Sequence, residues 1–154
     1  MSKVNDHYPF LTLYVPGLLR KLSVVLPISA VMTYPLLWAA KVLTPEEENH
    51  AAIHAAQQVE LAVWFSMAAL LIAGTTGNAD ILYYGILWAW FPLVGPFYLI
   101  YSALWIYYRI RLKQGALAYA SLPFEREAYL SQADENYLDD RLPFAWIRHF
   151  GEDV

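Results

Sequence analysis

Residues 44–74 read TPEEENHAAIHAAQQVELAVWFSMAALLIAG, and this stretch decides the fold. Thr44-Pro45-Glu46-Glu47 has the form of a helix start. Thr44 is a suitable N-cap, and Pro45 falls at the first helical position, where its missing N–H costs nothing. Glu47 stands three residues after the cap and completes a capping box. Glu46, Glu47 and Glu48 also face the positive end of the helix dipole. Neither Gly nor Pro follows before Gly74, so one helix is expected from Pro45 to about Ala73. Its first third is polar. From Leu61 onward it carries no charge and is strongly aromatic and aliphatic.

Working outward, the rest of the chain is unevenly charged. Residues 22–40 contain no charged side chain, and between Leu61 and Tyr108 the only one is Asp80. A bilayer-spanning helix takes about 20 apolar residues. Residues 22–40 nearly meet that, and 61–74 extend the helix begun at Pro45. Residues 81–108 exceed it, with Pro92, Gly95 and Pro96 offering a bend. At 58% hydrophobic and only 16% charged, with mean hydropathy +0.33, the chain has too little polar surface to cover three such runs in water. The six tryptophans and twelve tyrosines suit interfacial belts as well as packing. The expected fold is therefore all-α: an integral membrane helical hairpin, with two to three membrane-embedded helices and a small helical C-terminal cap.

Three regions follow. Residues 1–21 read as an amphipathic interfacial lead-in, with Phe10, Leu11, Leu13, Tyr14, Leu18 and Leu19 set against Arg20 and Lys21. They do not read as a signal peptide: Asp6 comes early and no small-residue cleavage motif follows. Residues 22–113 are the membrane-embedded helical region. It has a turn at Gly74-Thr75-Thr76-Gly77-Asn78 and an exit at Arg109-Ile110-Arg111-Leu112-Lys113. Residues 114–154 are polar and helical, with a helix start at Pro123 and a short amphipathic segment at 141–150. The net charge of −4 without a basic block argues against nucleic acid as partner. The absence of Cys removes disulfides, thiolate metal sites and a cysteine nucleophile.

His50 and His54 lie four residues apart in the capped helix, which puts both imidazoles on one face, one turn apart. Helical zinc sites use this spacing, and so do histidines that merely meet water and headgroups. Gln57, Gln58 and Glu60 extend the polar stripe. A second polar cluster, Phe124-Glu125-Arg126-Glu127-Ala128-Tyr129, reads first as a solvated helix start. Two dry runs separate it from His54, so two crossings would bring Glu125 or Glu127 back to the side of the histidines. Two His and one Glu form a familiar zinc set.

The run His50-Ala51-Ala52-Ile53-His54-Ala55-Ala56-Gln57-Gln58-Val59-Glu60 resembles the HExxHxxQQ-type helix of small bacterial and phage-borne membrane proteins related to gluzincin-like zinc metallopeptidases. In that family an FYxxY-type stretch, an AYxxxxFEREAY motif and a YL..R..FAW segment follow in order. This chain has Phe97-Tyr98-Leu99-Ile100-Tyr101, then Ala118-Tyr119 leading into Phe124 to Tyr129, then Tyr137-Leu138, Arg141 and Phe144-Ala145-Trp146. The resemblance covers residues 44–150. It implies that His50 and His54 are zinc ligands and that a glutamate of the second helix is the third. Glu125 is preferred, with Tyr129 four residues on as supporting partner beside Gln57. Glu127 is the competing choice, on nearly the opposite helix face.

One position departs from the motif. The glutamate that follows the first histidine and serves as general base is Ala51 here. Glu47 and Glu48 do not occupy that place. The resemblance therefore implies a metallopeptidase-like protein that keeps the fold and the metal without the activity, either as a pseudoenzyme or as an inactivated form. The other function class is a membrane accessory subunit that binds a larger complex, or pigment and lipid, through its aromatic apolar helices. A transporter fragment fits less well, because Asp80 alone at a turn describes no pathway. Lys41, Arg109, Arg111, Lys113, Arg126, Arg141 and Arg148 outnumber Lys3, Arg20 and Lys21 on the far side of residues 22–42. The site is thus expected on the cytoplasmic side of a bacterial inner membrane.

Overall fold

A computed structural model describes residues 3–4, 10–16, 19, 30–91 and 95–151. The chain is mainly helical, with one small sheet. Strands β1 (Lys3–Val4), β2 (Leu11–Tyr14), β3 (Ala30–Thr33) and β4 (Leu36–Ala39) are followed by helices α1 (Pro45–Thr76), α2 (Ala79–Ala89), α3 (Pro96–Leu112), α4 (Gly115–Ala120), α5 (Pro123–Ser131) and α6 (Tyr137–Asp140). A 3-10 turn closes the series at Ala145–His149. Two compact units divide the chain. The first holds Met1–Ala55 and Ala128–Arg141, the second Ala56–Glu127 and Leu142–Val154.

The first unit contains the sheet, in the order β1-β2-β4-β3. β3 and β4 form an antiparallel hairpin about Tyr34-Pro35, β4 lies parallel to β2, and β1 runs antiparallel to β2. The expectation of a membrane-embedded helix over residues 22–42 is thereby corrected for residues 30–39, while the mainly helical chain fits the all-α class with this small sheet added to it; residues 22–29 lie outside the described residues. The cause is local. Pro35 removes a backbone donor and cannot sit inside a helix. The flanking Ala30-Val31-Met32-Thr33 and Leu36-Leu37-Trp38-Ala39 are the β-branched, aliphatic and aromatic residues that suit a pleated, half-buried surface. Burial in β4 alternates with period two: Leu37 and Ala39 are buried, Leu36 and Trp38 partly so. Trp38 Nε1 donates to Thr33 Oγ1 across the hairpin at 2.7 Å. β2 likewise falls within the residues expected as an interfacial lead-in.

The apolar core of this unit joins Phe10, Met32, Leu37, Ala39 and Leu43 to Ala51, Ala52 and Ala55 of α1. The capping box forms: Thr44 N–H donates to Glu47 Oε2 at 2.9 Å, and Glu47 N–H donates to Thr44 Oγ1 at 3.2 Å. Lys41 adds an ion pair to Glu47 at 2.7 Å.

In the second unit α1 runs past Gly74 and stops at Thr76. Gly77 takes a positive φ of 69°, and its N–H returns to the Ala73 carbonyl at 2.8 Å. A residue without Cβ adopts this conformation at no steric cost. Asn78 then caps α2 by accepting from Asp80 N–H. α1 and α2 pack through small residues: a Cβ added to Gly85 would collide with the Ala69 methyl. Phe65 meets Trp88 edge-on at 5.4 Å, and Trp90 Nε1 donates to Ser66 Oγ at 3.1 Å.

At 32 residues, α1 is long and apolar enough to cross a membrane. It is the single such helix among the described residues. α2 has 11 residues and α3 has 17, about 16 and 25 Å at 1.5 Å per residue. Each falls short of a hydrocarbon core about 30 Å thick. The interruption expected within residues 81–108 is present between α2 and α3, and of the two to three membrane-embedded helices expected, one is long and apolar enough to span among the described residues. Trp90 ends α2 and Gly95-Pro96 opens α3, and Pro96 at the first helical position cannot continue a preceding helix.

Two aromatic and aliphatic clusters fill the rest of this unit. Leu61, Phe97, Phe124 and Trp146 form one, and Tyr108, Ala118 and Leu122 the other.

Candidate metal centre

In the first unit, the opening turns of α1 carry Asn49, His50 and His54. The helical spacing brings the two imidazoles together: His50 Nε2 and His54 Nε2 are 3.1 Å apart, with ring centroids 4.7 Å apart and the planes crossed at 80°. On its other edge His50 Nδ1 lies 3.1 Å from Gln132 Oε1. The Tyr129 ring packs against the His50 ring at 4.7 Å and 64°. Asn49 is buried, and its Nδ2 donates to the carbonyls of Ser131 at 3.4 Å, Gln132 at 3.0 Å and Asp134 at 2.8 Å. These carbonyls belong to the end of α5 and the turn after it, where the helix itself has no donors left to offer.

In the second unit, α5 sends two buried carboxylates in different directions. Glu125 Oε1 accepts from the Tyr101 hydroxyl at 2.7 Å, and Tyr101 stacks on Phe124 with the planes 14° apart. Burial, and after it the charge of Glu125, push the Tyr101 phenol far above its usual range. It therefore keeps its proton and remains a donor. Glu127 Oε2 accepts from Gln57 Nε2 at 3.0 Å, and the same nitrogen donates to the Phe124 carbonyl at 3.1 Å. Gln57 thus serves Glu127 and the α5 backbone, while Tyr129 is the residue seen against an imidazole. Gln58 hydrogen-bonds Tyr98.

His50 and His54 of the first unit and Glu125 of the second are residues of the kinds that could hold a metal ion. The donor set fits zinc, which takes imidazole nitrogen and carboxylate oxygen. Calcium and magnesium ask for oxygen alone. Bonds of about 2.0–2.1 Å place two nitrogen ligands of a tetrahedral ion about 3.3 Å apart, close to the 3.1 Å between the two Nε2 atoms.

Ala51 is 5% exposed and belongs to the apolar core of the first unit. Three residues that the sequence did not single out take part in the arrangement. Tyr101 stands in the FYxxY-like stretch, where the sequence assigns it no role. Asn49 and Gln132 gave no signal of their own, since their contacts span more than eighty residues of chain. No protein family, curated protein or solved structure matches this chain.

Proposed function

We propose that this chain is a membrane-associated zinc-binding protein of metallopeptidase-like design whose hydrolytic step is disabled. The observation that carries this reading is the pair of imidazole nitrogens 3.1 Å apart on one face of α1, with an alanine immediately after the first histidine and Glu125 taken as the third ligand. Zinc bound there supplies Lewis acidity toward a carbonyl oxygen. The chain's own residues supply the rest of the centre. The imidazoles present nitrogen from one helix face, Glu125 adds a carboxylate oriented by Tyr101, and Tyr129 packs over the His50 ring. In an active peptidase of this design a carboxylate beside the first histidine takes a proton from water. Ala51 has no group to do so, and its place in the apolar core supports alanine as the residue suited to that position. The natural ligand would be a peptide segment at the membrane surface, held without being cut.

The long apolar helix α1 supports an integral membrane location. The distribution of Lys and Arg favours the cytoplasmic face of a bacterial inner membrane. A second reading, a non-enzymatic accessory subunit of a larger membrane complex, draws on the exposed aromatic and aliphatic side chains of α1 and α2, among them Trp64, Met67, Leu71, Tyr83, Tyr84 and Trp88.

Metal analysis of the purified full chain decides between them. About one zinc per chain, lost in His50→Ala, is the expected result, with no cleavage of membrane-bound peptides by either protein. Zinc content unaffected by His50→Ala would overturn the metal centre and leave the accessory reading. Peptide cleavage abolished by His50→Ala would overturn the inactive assignment.

A further inference from the structure

Gln132 Oε1 lies 3.1 Å from His50 Nδ1, and a carboxamide oxygen can only accept. A neutral imidazole carries one N–H, and here the contact calls for it on Nδ1. We propose that Gln132 is a positioning residue that fixes His50 in the Nδ1–H tautomer and thereby commits Nε2, the nitrogen facing His54, to binding a divalent cation of zinc-like softness. This inference rests on the metal centre proposed above and adds the device that selects which nitrogen binds.

Two further observations support it. Asn49 is 1% exposed, and its side chain donates to the Ser131, Gln132 and Asp134 carbonyls. The residue next to His50 in α1 therefore fixes the backbone that carries Gln132, and ligand and tautomer lock move together. The Tyr129 ring against the imidazole at 4.7 Å restricts rotation of His50 about its own axis. The 3.1 Å contact between the two Nε2 atoms then has a defined sense. With its proton on Nδ1, His50 offers Nε2 as a lone pair. In the metal-free chain His54 Nε2–H donates to that lone pair; with a cation present both nitrogens point at the ion. Outer partners of this kind fix ring orientation and raise ligand basicity, and removing one typically costs 10–100-fold in metal affinity.

The test uses the full chain in detergent with ¹⁵N-labelled histidine, His50 being assigned by its loss in His50→Gln. Nitrogen shifts of the zinc-free protein are expected to show His50 as the Nδ1–H tautomer. In Gln132→Leu, which keeps the side-chain size and removes the acceptor, that preference should disappear. Zinc affinity by chelator competition should fall about 10–100-fold. In Gln132→Glu, which keeps an acceptor, the tautomer should persist and the affinity stay within a few-fold. A wild-type His50 found as Nε2–H, or Gln132→Leu matching wild type in both measurements, would overturn the assignment. Should the wild type bind no zinc at all, the metal centre falls, and the tautomer measured without metal still decides the role of Gln132.

Discussion

The Tyr101 hydroxyl donates to Glu125 Oε1 at 2.7 Å, joining α3 to α5 within the second unit. A carboxylate held by one oxygen keeps its orientation toward a cation. Tyr101→Phe removes the donor and leaves the ring. Zinc affinity of the full chain, measured by chelator competition, is expected to fall roughly 10-fold or more. Thermal unfolding should show a loss of about 1–3 kcal/mol, because the buried acceptor loses a partner. Unchanged zinc affinity would mean that Glu125 owes its orientation to other contacts.

The same phenol sets an alkaline limit. Its folded pKa is raised, first by burial and then by the Glu125 charge. The associated stability is complete below the ordinary tyrosine value of about 10. Above it the unfolded chain ionises while the folded chain stays protonated, so stability declines as pH rises. Unfolding measured between pH 8 and pH 11 should decline more steeply for the wild type than for Tyr101→Phe. Parallel curves would assign the alkaline loss to other tyrosines.

Ala51 packs among Phe10, Met32, Leu37, Ala39, Leu43, Ala52 and Ala55. Ala51→Glu places here the residue type that the resembled HExxH motif carries. It also drives an ionisable group into an apolar cluster. The expected outcome is a destabilisation of at least about 2 kcal/mol, read as a lower unfolding midpoint, with no gain of peptide cleavage. A stable and active Ala51→Glu protein would show that the helix face can turn this position toward the metal donors.

The sequence showed the start of α1 well, because capping is local chemistry: Thr44, Pro45 and Glu47 announce themselves within four residues. It misplaced the end of that helix by the choice between Gly74 and Gly77, since either can terminate a helix and only packing against α2 decides. The β3–β4 hairpin stayed hidden because its residues are apolar on both faces of the strands, so a period of two could not be told from a helical run. Tyr34-Pro35 was the available clue. At the candidate centre the i, i+4 spacing of His50 and His54 was visible. The two-residue spacing of Glu125 and Glu127 put them on nearly opposite helix faces, but the partner each takes was not visible, since that depends on Tyr101 and Gln57. Asn49 and Gln132 act through tertiary contacts that no local pattern encodes.

Gly85 and Ala69 let α1 and α2 approach closely, as small residues at a helix–helix contact permit. Gly85→Ala should cost about 1–3 kcal/mol by overpacking, and the double variant Gly85→Ala with Ala69→Gly should recover most of it. Thermal unfolding in detergent reads both. A Gly85→Ala protein as stable as the wild type would show that the two helices part without loss.

The outer face of this hairpin bears Trp64, Met67, Leu71, Tyr83 and Trp88, all exposed. Ser and Thr hydroxyls of α1 bond within the helix: Ser66 Oγ donates to the Ala62 carbonyl at 2.7 Å, and Thr76 Oγ1 to the Ile72 carbonyl at 2.8 Å. Such back-bonding would hide polarity from acyl chains, which cannot hydrogen-bond. Leu71→Lys should therefore weaken partition into vesicles, since a lysine at mid-bilayer costs about 2.5–3.5 kcal/mol on insertion scales. Val42→Lys, at an equally exposed position outside the hairpin, should leave it unchanged. Flotation of the two variants on vesicles separates the outcomes. Equal flotation would show that α1 and α2 meet a protein partner rather than acyl chains, and would favour the accessory-subunit reading.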